Sequence, residues 1–408
     1  MRVLVVVGIG IGIVMAARVA AAGELPREVT ADQAVALFRE RSPRLAANRA
    51  AIEVTAADRV DAEVYPNPTL SIGTTNTVQG GDTIGHAQGS VGLDVPILIG
   101  RQRGHRARAA EARVAAKRAE VEVDQAKAEL EIRRRFLALL AAQDKVGALG
   151  AALDDARAVR GIVAGRQQAG AKSPYELERT DLALAALASK HAEAITDTGA
   201  ASGALAQAVG IADWQPRAAG ALRPEDAAGV AGVAVGTDHP ELVAGLAAQA
   251  VARSEQALAH AEATPTPSLQ LQGFGTSAPQ GIAVMVGISI PLPLTDRNQG
   301  AVARAQAQER AAELEHRATG AELTADLTRA TALERDRRAA VVRFETDAIE
   351  RLPRVRAMAE SSYRSGQGGI VELLDALDAI TEARLRQIEL VTAALDAALD
   401  VRAAARGR

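Results

Sequence analysis

The sequence predicts a mainly α-helical chain with a small transmembrane β part, built from one elongated unit used twice. Three observations carry this expectation. First, motifs recur in matching order at an interval of about 195–199 residues: Ser42-Pro43-Arg44-Leu45 and His239-Pro240-Glu241-Leu242, then Pro66-Asn67-Pro68 and Pro265-Thr266-Pro267. Val91-Gly92-Leu93-Asp94-Val95-Pro96 and Val286-Gly287-Ile288-Ser289-Ile290-Pro291 follow at the same interval, as do Gly170…Glu176-Leu177 and Gly366…Glu372-Leu373. A period this long marks the copying of one architectural unit. Second, each copy holds two runs that alternate apolar and polar residues. Third, each copy then runs into a very long Ala-rich helical stretch.

Taken in order, the chain starts with Arg2, an apolar run from Val3 to about Ala17, and Ala20-Ala21-Ala22 before Gly23. That is the layout of a secretory signal peptide, and the run falls short of the about 20 residues a transmembrane helix needs. Residues 1–22 are therefore expected to be removed on export. The first repeat then spans 23–210, an irregular connector 211–238 and the second repeat 239–408. Residues 28–63 have helical patterning, interrupted at Ser42-Pro43, where proline suits a helix start.

Between about 68 and 96 the period changes to two, with the turn Gly80-Gly81-Asp82 between the runs. The second copy repeats this between about 267 and 291, where Ile282, Val284, Val286, Ile288 and Ile290 alternate with Ala283, Met285, Gly287 and Ser289. Period two with one apolar face is a strand signal, and about 9–11 residues is the length of a membrane-crossing strand. Past each hairpin the pattern is helical. No proline lies between Pro96 and Pro174, and Ala109, Ala112, Ala116, Ala119, Val123, Ala126, Leu130, Leu137 and Leu140 follow a three–four spacing with Arg133 as the charged exception. This seam predicts close coiled-coil packing. The stretch to the Gly170 turn would span on the order of 100 Å at about 1.5 Å per residue. The second long helix carries Pro353, which predicts a kink or break. Gly-containing turns at about 170 and 366 lead into returning helices.

Composition excludes several functions. Aromatic residues make up only 2% of the chain, little bulk for a compact enzyme core, and a net charge of −3 gives no basic footprint for nucleic acid. No cysteine is present, so disulfides and thiolate metal sites are excluded. The six histidines are scattered singly, without metal-ligand spacing. Gly8-Ile9-Gly10-Ile11-Gly12 lies in the apolar leader with no strand before it, so it is no dinucleotide loop. No catalytic motif, metal site or cofactor is expected, and the Arg133-Arg134-Arg135 run is expected to face solvent.

Four membrane-type strands cannot close a barrel alone, because single-chain barrels start at eight and open edges are not tolerated in hydrocarbon. Several copies must pool strands, and three would give twelve. The motifs Tyr65-Pro66-Asn67-Pro68-Thr69-Leu70, Pro96…Gly100-Arg101 and Pro291-Leu292-Pro293-Leu294…Arg297-Asn298-Gln299-Gly300, in this order over the whole mature chain, resemble the TolC-type outer-membrane efflux channels. Pro-Asn-Pro and Arg-Asn-Gln-Gly are most similar to the CzcC-like, cation-efflux branch.

The resemblance implies a homotrimer with a twelve-stranded barrel and an α-helical periplasmic tunnel, in the outer membrane of a Gram-negative type envelope. It also implies a periplasmic adaptor protein and an inner-membrane pump of the resistance-nodulation-division (RND) type as partners. The expected role is a passive exit duct, with heavy-metal cations as one substrate class. Drug efflux, type I secretion, or a soluble periplasmic coiled-coil scaffold are the alternatives. Carried over by position, Glu372 and Asp375 would be aperture acids, with Glu176 their counterpart in the first copy. Gly170 and Gly366 would mark tip turns that contact the adaptor. Gly368 stands where some relatives carry a basic latch. Near the hairpins only Tyr65 and Phe274 could serve an aromatic girdle.

Overall fold

A computed structural model describes residues 25–76, 87–168, 174–223, 233–276 and 281–405. The leader, the strand turn at 80–82 and the first tip turn with Gly170 lie outside the described residues. The elements in order are β1 (Glu28–Val29), α1 (Ala31–Arg41), α2 (Pro43–Glu63), β2 (Thr69–Asn76), β3 (Ala87–Pro96), α3 (Gln102–Gln168), α4 (Pro174–Val209) and β4 (Arg217–Ala218). They continue with α5 (Pro240–Glu262), β5 (Ser268–Thr276), β6 (Ile282–Ser289), α6 (Gln299–Asp347), α7 (Leu352–Ser365) and α8 (Ile370–Ala405).

Local chemistry sets the boundaries. Thr30 and Gln33 form a reciprocal capping box at α1, at 3.3 and 2.9 Å. Ser42 ends α1 and Pro43 starts α2, while His239 caps α5 by accepting the Glu241 N–H at 3.3 Å ahead of Pro240. Its other ring nitrogen lies 3.2 Å from the Ala403 carbonyl, so the start of α5 abuts the end of α8. α3 runs unbroken for 67 residues, about 100 Å. It packs against α1, α2, α4, α5 and α8, and α6 packs against α5 and α8. The one described helical window apolar enough to cross a membrane lies within α3, which is this central packed helix.

The main core lies near mid-length. Val29, Phe38, Ile132, Leu139, Leu205, Val209 and Trp214 pack there. The Trp214 indole N–H donates to the Pro26 carbonyl at 3.0 Å, and β1 pairs in parallel with β4, so part of the connector straps the N-terminal segment to the helices. Ile132, Phe136 and Leu139 lie off the seam read from the sequence, because α3 is enclosed by helices on several sides rather than one. The arginine run also departs from expectation. Arg133 pairs with Asp32 at 2.7 Å, and the half-buried Arg134 pairs with Asp396 and Asp400 on α8. It stitches helices instead of simply facing solvent.

All four long strands form one antiparallel sheet in the order β2-β3-β5-β6, so β3 joins the two hairpins through β5. Each strand turns into its helix at a fixed corner. Gly100 N–H donates to the Gln102 carboxamide oxygen at 3.1 Å, and the same side chain, 2% exposed, donates to Thr264 O at 3.2 Å. A Cβ on Gly100 would lie 2.8 Å from the Thr264 Cβ, so only glycine fits. The corresponding corner before α6 uses Arg297 N–H to Gln299 at 2.7 Å and Asn298 Nδ2 to Ala259 O at 2.8 Å, with Asn298 left-handed at φ 61°. The sequence motifs at 100–102 and 297–299 are thus strand-to-helix corners.

α6 and α7 are separated by a 3-10 turn at Ile349–Arg351, and Pro353 occupies the first turn of α7. The break expected from Pro353 falls just before it, since its ring excludes the preceding helical turn.

Candidate functional site: the helical tip and the strand faces

The tip forms where α3 ends, α4 begins, and α7 turns into α8. Val159 and Val163 of α3 pack there with Tyr363 of α7 and Ile370, Leu373 and Leu374 of α8. Tyr363 is 1% exposed and is held from three sides. The Arg166 guanidinium lies 4.7 Å from its ring centroid. The same group donates to the carbonyls of Tyr363 at 3.1 Å and Arg364 at 2.8 Å, acting as a cationic cap on the last turn of α7. The Tyr363 hydroxyl donates to Glu176 Oε2 at 3.2 Å. Burial, reinforced by the Glu176 charge and hydrogen bond, pushes the phenol pKa up, against an opposing effect of Arg166.

Further along, Arg356 of α7 makes a two-pronged pair with Asp155 of α3 at 2.6 and 2.7 Å and also reaches Glu360 at 2.9 Å. Its hydrogen bonds to Glu360 and Asp155 hold its pKa above the usual arginine value. Arg160 of α3 clasps Asp181 of α4, its second contact being 3.2 Å. That clasp, chiefly its hydrogen bond, lowers the Asp181 pKa. The tip is therefore closed by long-range ionic and aromatic contacts.

The candidate acids occupy different settings. Glu176 is drawn into the Tyr363 contact. Glu372 is exposed but folds back, its Oε2 accepting the Gly369 N–H at 3.2 Å, which satisfies an orphan donor at the start of α8. Asp375 is exposed, with no hydrogen bond or ion pair among the described residues. Gly366 ends α7 in the left-handed conformation at φ 75°, and the N–H groups of Gln367 and Gly368 return to Ser362 O at 3.0 and 3.1 Å. A Cβ on Gly368 would meet Glu372 Oε2 and Ser362 Oγ at 2.7 Å, so a larger residue there would displace both side chains.

The sheet is sorted by face. Residues directly opposite in antiparallel strands share a side. The register therefore puts Leu70 and Ile72, Val91, Leu93 and Val95, Leu269 and Leu271, and Ile282, Val284, Val286 and Ile288 on one face. Ser71, Gln88, Ser90, Asp94, Ser268, Gln270 and Gln272 occupy the other. The apolar face is bare, Ile282 being 86% exposed, and β2 and β6 have no further strand partner among the described residues. The two aromatic residues near the hairpins take different positions. Phe274 pairs with Ser90 and Ala283 on the polar face, and the Tyr65 hydroxyl is occupied by the Leu98 N–H at 3.0 Å.

Asp155, Arg166 and Arg356 carry no sequence signal that marks them as tip residues, whereas Tyr363 lies within the turn motif that ends at Gly366. Among the described residues no group of His, Cys, Asp or Glu is arranged to hold a metal ion.

Residues 34–211 match the family model described as outer membrane efflux protein. The chain superposes on the solved structure of CusC, described in terms of folding and transmembrane channel formation, with a TM-score of 0.75 and 15% identity over 93% of this chain and 92% of that one. The outer membrane protein VceC of Vibrio cholerae gives a TM-score of 0.71 at 15% identity, covering 92% of this chain and 96% of that one. The fold is that of an outer-membrane efflux channel.

The CmeC outer membrane channel of Campylobacter jejuni shares it too, with a TM-score of 0.71 and 16% identity over 92% of this chain and 85% of that one. No curated protein matches the chain by sequence. The family model thus matches the first half of the chain, and the fold of these outer-membrane channels extends over nearly all of it. The tip and the sheet described above lie in the parts of the chain that superpose on these channel structures.

Proposed function

We propose that the protein is the outer-membrane channel of a tripartite efflux system. Three copies pool their strands into a twelve-stranded barrel above an α-helical periplasmic tunnel, with a periplasmic adaptor and an RND-type inner-membrane pump as partners. The observation that carries this is the four-stranded sheet, most of whose large aliphatic side chains share one bare face while both edge strands lack a partner among the described residues. In lipid such a sheet must close with other copies, the apolar face outward and the polar face lining water. A soluble scaffold leaves that sorting unexplained.

Transport is passive. Substrate moves down its gradient through a bore whose periplasmic end is shut by the tip contacts, and opening separates α7 and α8 from α3 and α4, a two-state change biased by the adaptor. Glu372, Asp375 and Glu176, repeated around a threefold axis, form a negative throat that favours cations. The tip turns at Gly170 and Gly366 face the adaptor. Heavy-metal cations are the substrate class favoured by the cation-efflux resemblance, and pump and adaptor choose among substrates.

The test is reconstitution of detergent-extracted protein into planar bilayers. Heat-modifiable trimers with cation-preferring conductance are expected, and Glu372→Ala with Asp375→Ala should weaken that preference and the block by polycations. Unchanged selectivity rejects the aperture assignment; monomers soluble without detergent reject the duct.

A further inference from the structure

Asp94 is the only ionisable side chain on the described residues of β2, β3, β5 and β6. The register sets it on the polar face, opposite Thr69 on one side and Gln270 on the other. Its position there is built. Oδ2 accepts the Ser268 hydroxyl at 2.8 Å and the Gln270 amide at 3.1 Å, both across the seam that joins the two hairpins. The rest of that face carries hydroxyl, carboxamide, glycine and a few apolar side chains, Phe274 and Met285 among them, and no other charge among the described residues.

We propose that Asp94 sets the charge selectivity of the barrel bore, favouring small cations over anions during transit. The inference rests on the duct reading. In a closed barrel the polar face lines water, and copying by symmetry gives one ring of carboxylates on an otherwise uncharged wall. Rings of acidic side chains favour cations in pores. The field of such a ring reaches about 30 Å at 10 mM salt, about 10 Å at 0.1 M and about 3 Å at 1 M. Its influence across a wide bore is therefore largest in dilute salt. Ser268 and Gln270 position the carboxylate, which keeps a single level along the bore because two cross-strand donors fix one oxygen.

The contacts also admit a merely structural role, pinning β3 to β5, and the variants separate the two. Asp94→Asn keeps an acceptor for the seam and removes the charge; Ser268→Ala with Gln270→Ala removes both donors and keeps the charge. Reversal potentials under a KCl gradient in planar bilayers are compared at about 10 mM and about 1 M mean salt, the range over which screening changes about tenfold in length. Arg101, Asp296 and Arg297 beyond the sheet are common to all variants. The expected result is a cation-to-anion permeability ratio at least about twofold lower in Asp94→Asn at low salt, little difference at high salt, and a near wild-type ratio in the double alanine variant. A wild-type ratio in Asp94→Asn at low salt, with trimers intact, overturns the proposal. Absence of any conductance from wild-type protein overturns the duct reading instead.

Discussion

Tyr363 concentrates the chemistry of the tip in one side chain. Its ring fills the small apolar cluster, its hydroxyl reaches α4, and its carbonyl and face bind Arg166 of α3. A hydrogen bond to a carboxylate contributes about 1.5–3 kcal/mol. Because burial and Glu176 raise the phenol pKa, the neutral form is the one the closed tip holds. The contact is complete below the ordinary phenol value of about 10 and is lost as pH rises through the raised folded value. Bilayer conductance of the wild-type channel is therefore expected to rise above about pH 10. Tyr363→Phe should lack that alkaline step and show a more open channel at neutral pH. An identical alkaline step in the variant would assign it to other groups. The sequence could not reveal this contact, since Arg166 and Tyr363 are 197 residues apart and Asp155 and Arg356 are 201 apart. Glu372 shows the complementary limit. Its spacing from Asp375 places both on one helix side, but nothing in the sequence says that its carboxylate folds back to the Gly369 N–H.

Elements were legible where a period or a proline speaks locally. Alternation located the strands to within a few residues, and Ser42-Pro43, Pro240 and Pro353 each fall at a helix boundary. The seam on α3 was only partly legible, because a helix enclosed by five others buries residues such as Ile132 and Phe136 off any single stripe. The contrast between α3 and its counterpart is informative. α3 is continuous, whereas α6 and α7 are parted by the 3-10 turn, and α7 is tied to α3 by Arg356. Proline costs a helix interior about 3 kcal/mol, so Pro353→Ala should let α6 and α7 fuse. Spin labels at Arg335 and Met358 should then move apart toward the straight-helix value of about 35 Å, read by pulsed electron resonance. An unchanged distance would place the cause of the break elsewhere, in the Arg356 contact or the Ala348 turn.

At the scale of the whole molecule, the sheet and the tip describe opposite ends of one long object. The large apolar and polar side chains of the four strands are largely sorted to opposite faces, the helices pack along the long α3, and charge pairs bind α3 to α7 and α8. The helices could serve a scaffold as well as a tunnel; the sheet could not. On the duct reading, its exposed isoleucines and valines face hydrocarbon and its edges pair with strands of further copies. The central claim is therefore that β6 of one copy pairs with β2 of the next. The chain has no cysteine, so single cysteines introduced on the two edge strands report on that pairing without background. Pairs drawn from Leu70 or Ile72 on β2 and Val284 or Val286 on β6 share the apolar face, and oxidation is carried out in outer-membrane fractions. The account predicts that at least one pair yields covalent dimers and trimers on denaturing gels, with each single variant remaining monomeric. Oxidised protein that stays monomeric for every pair, in membranes where the protein is present and folded, would contradict it.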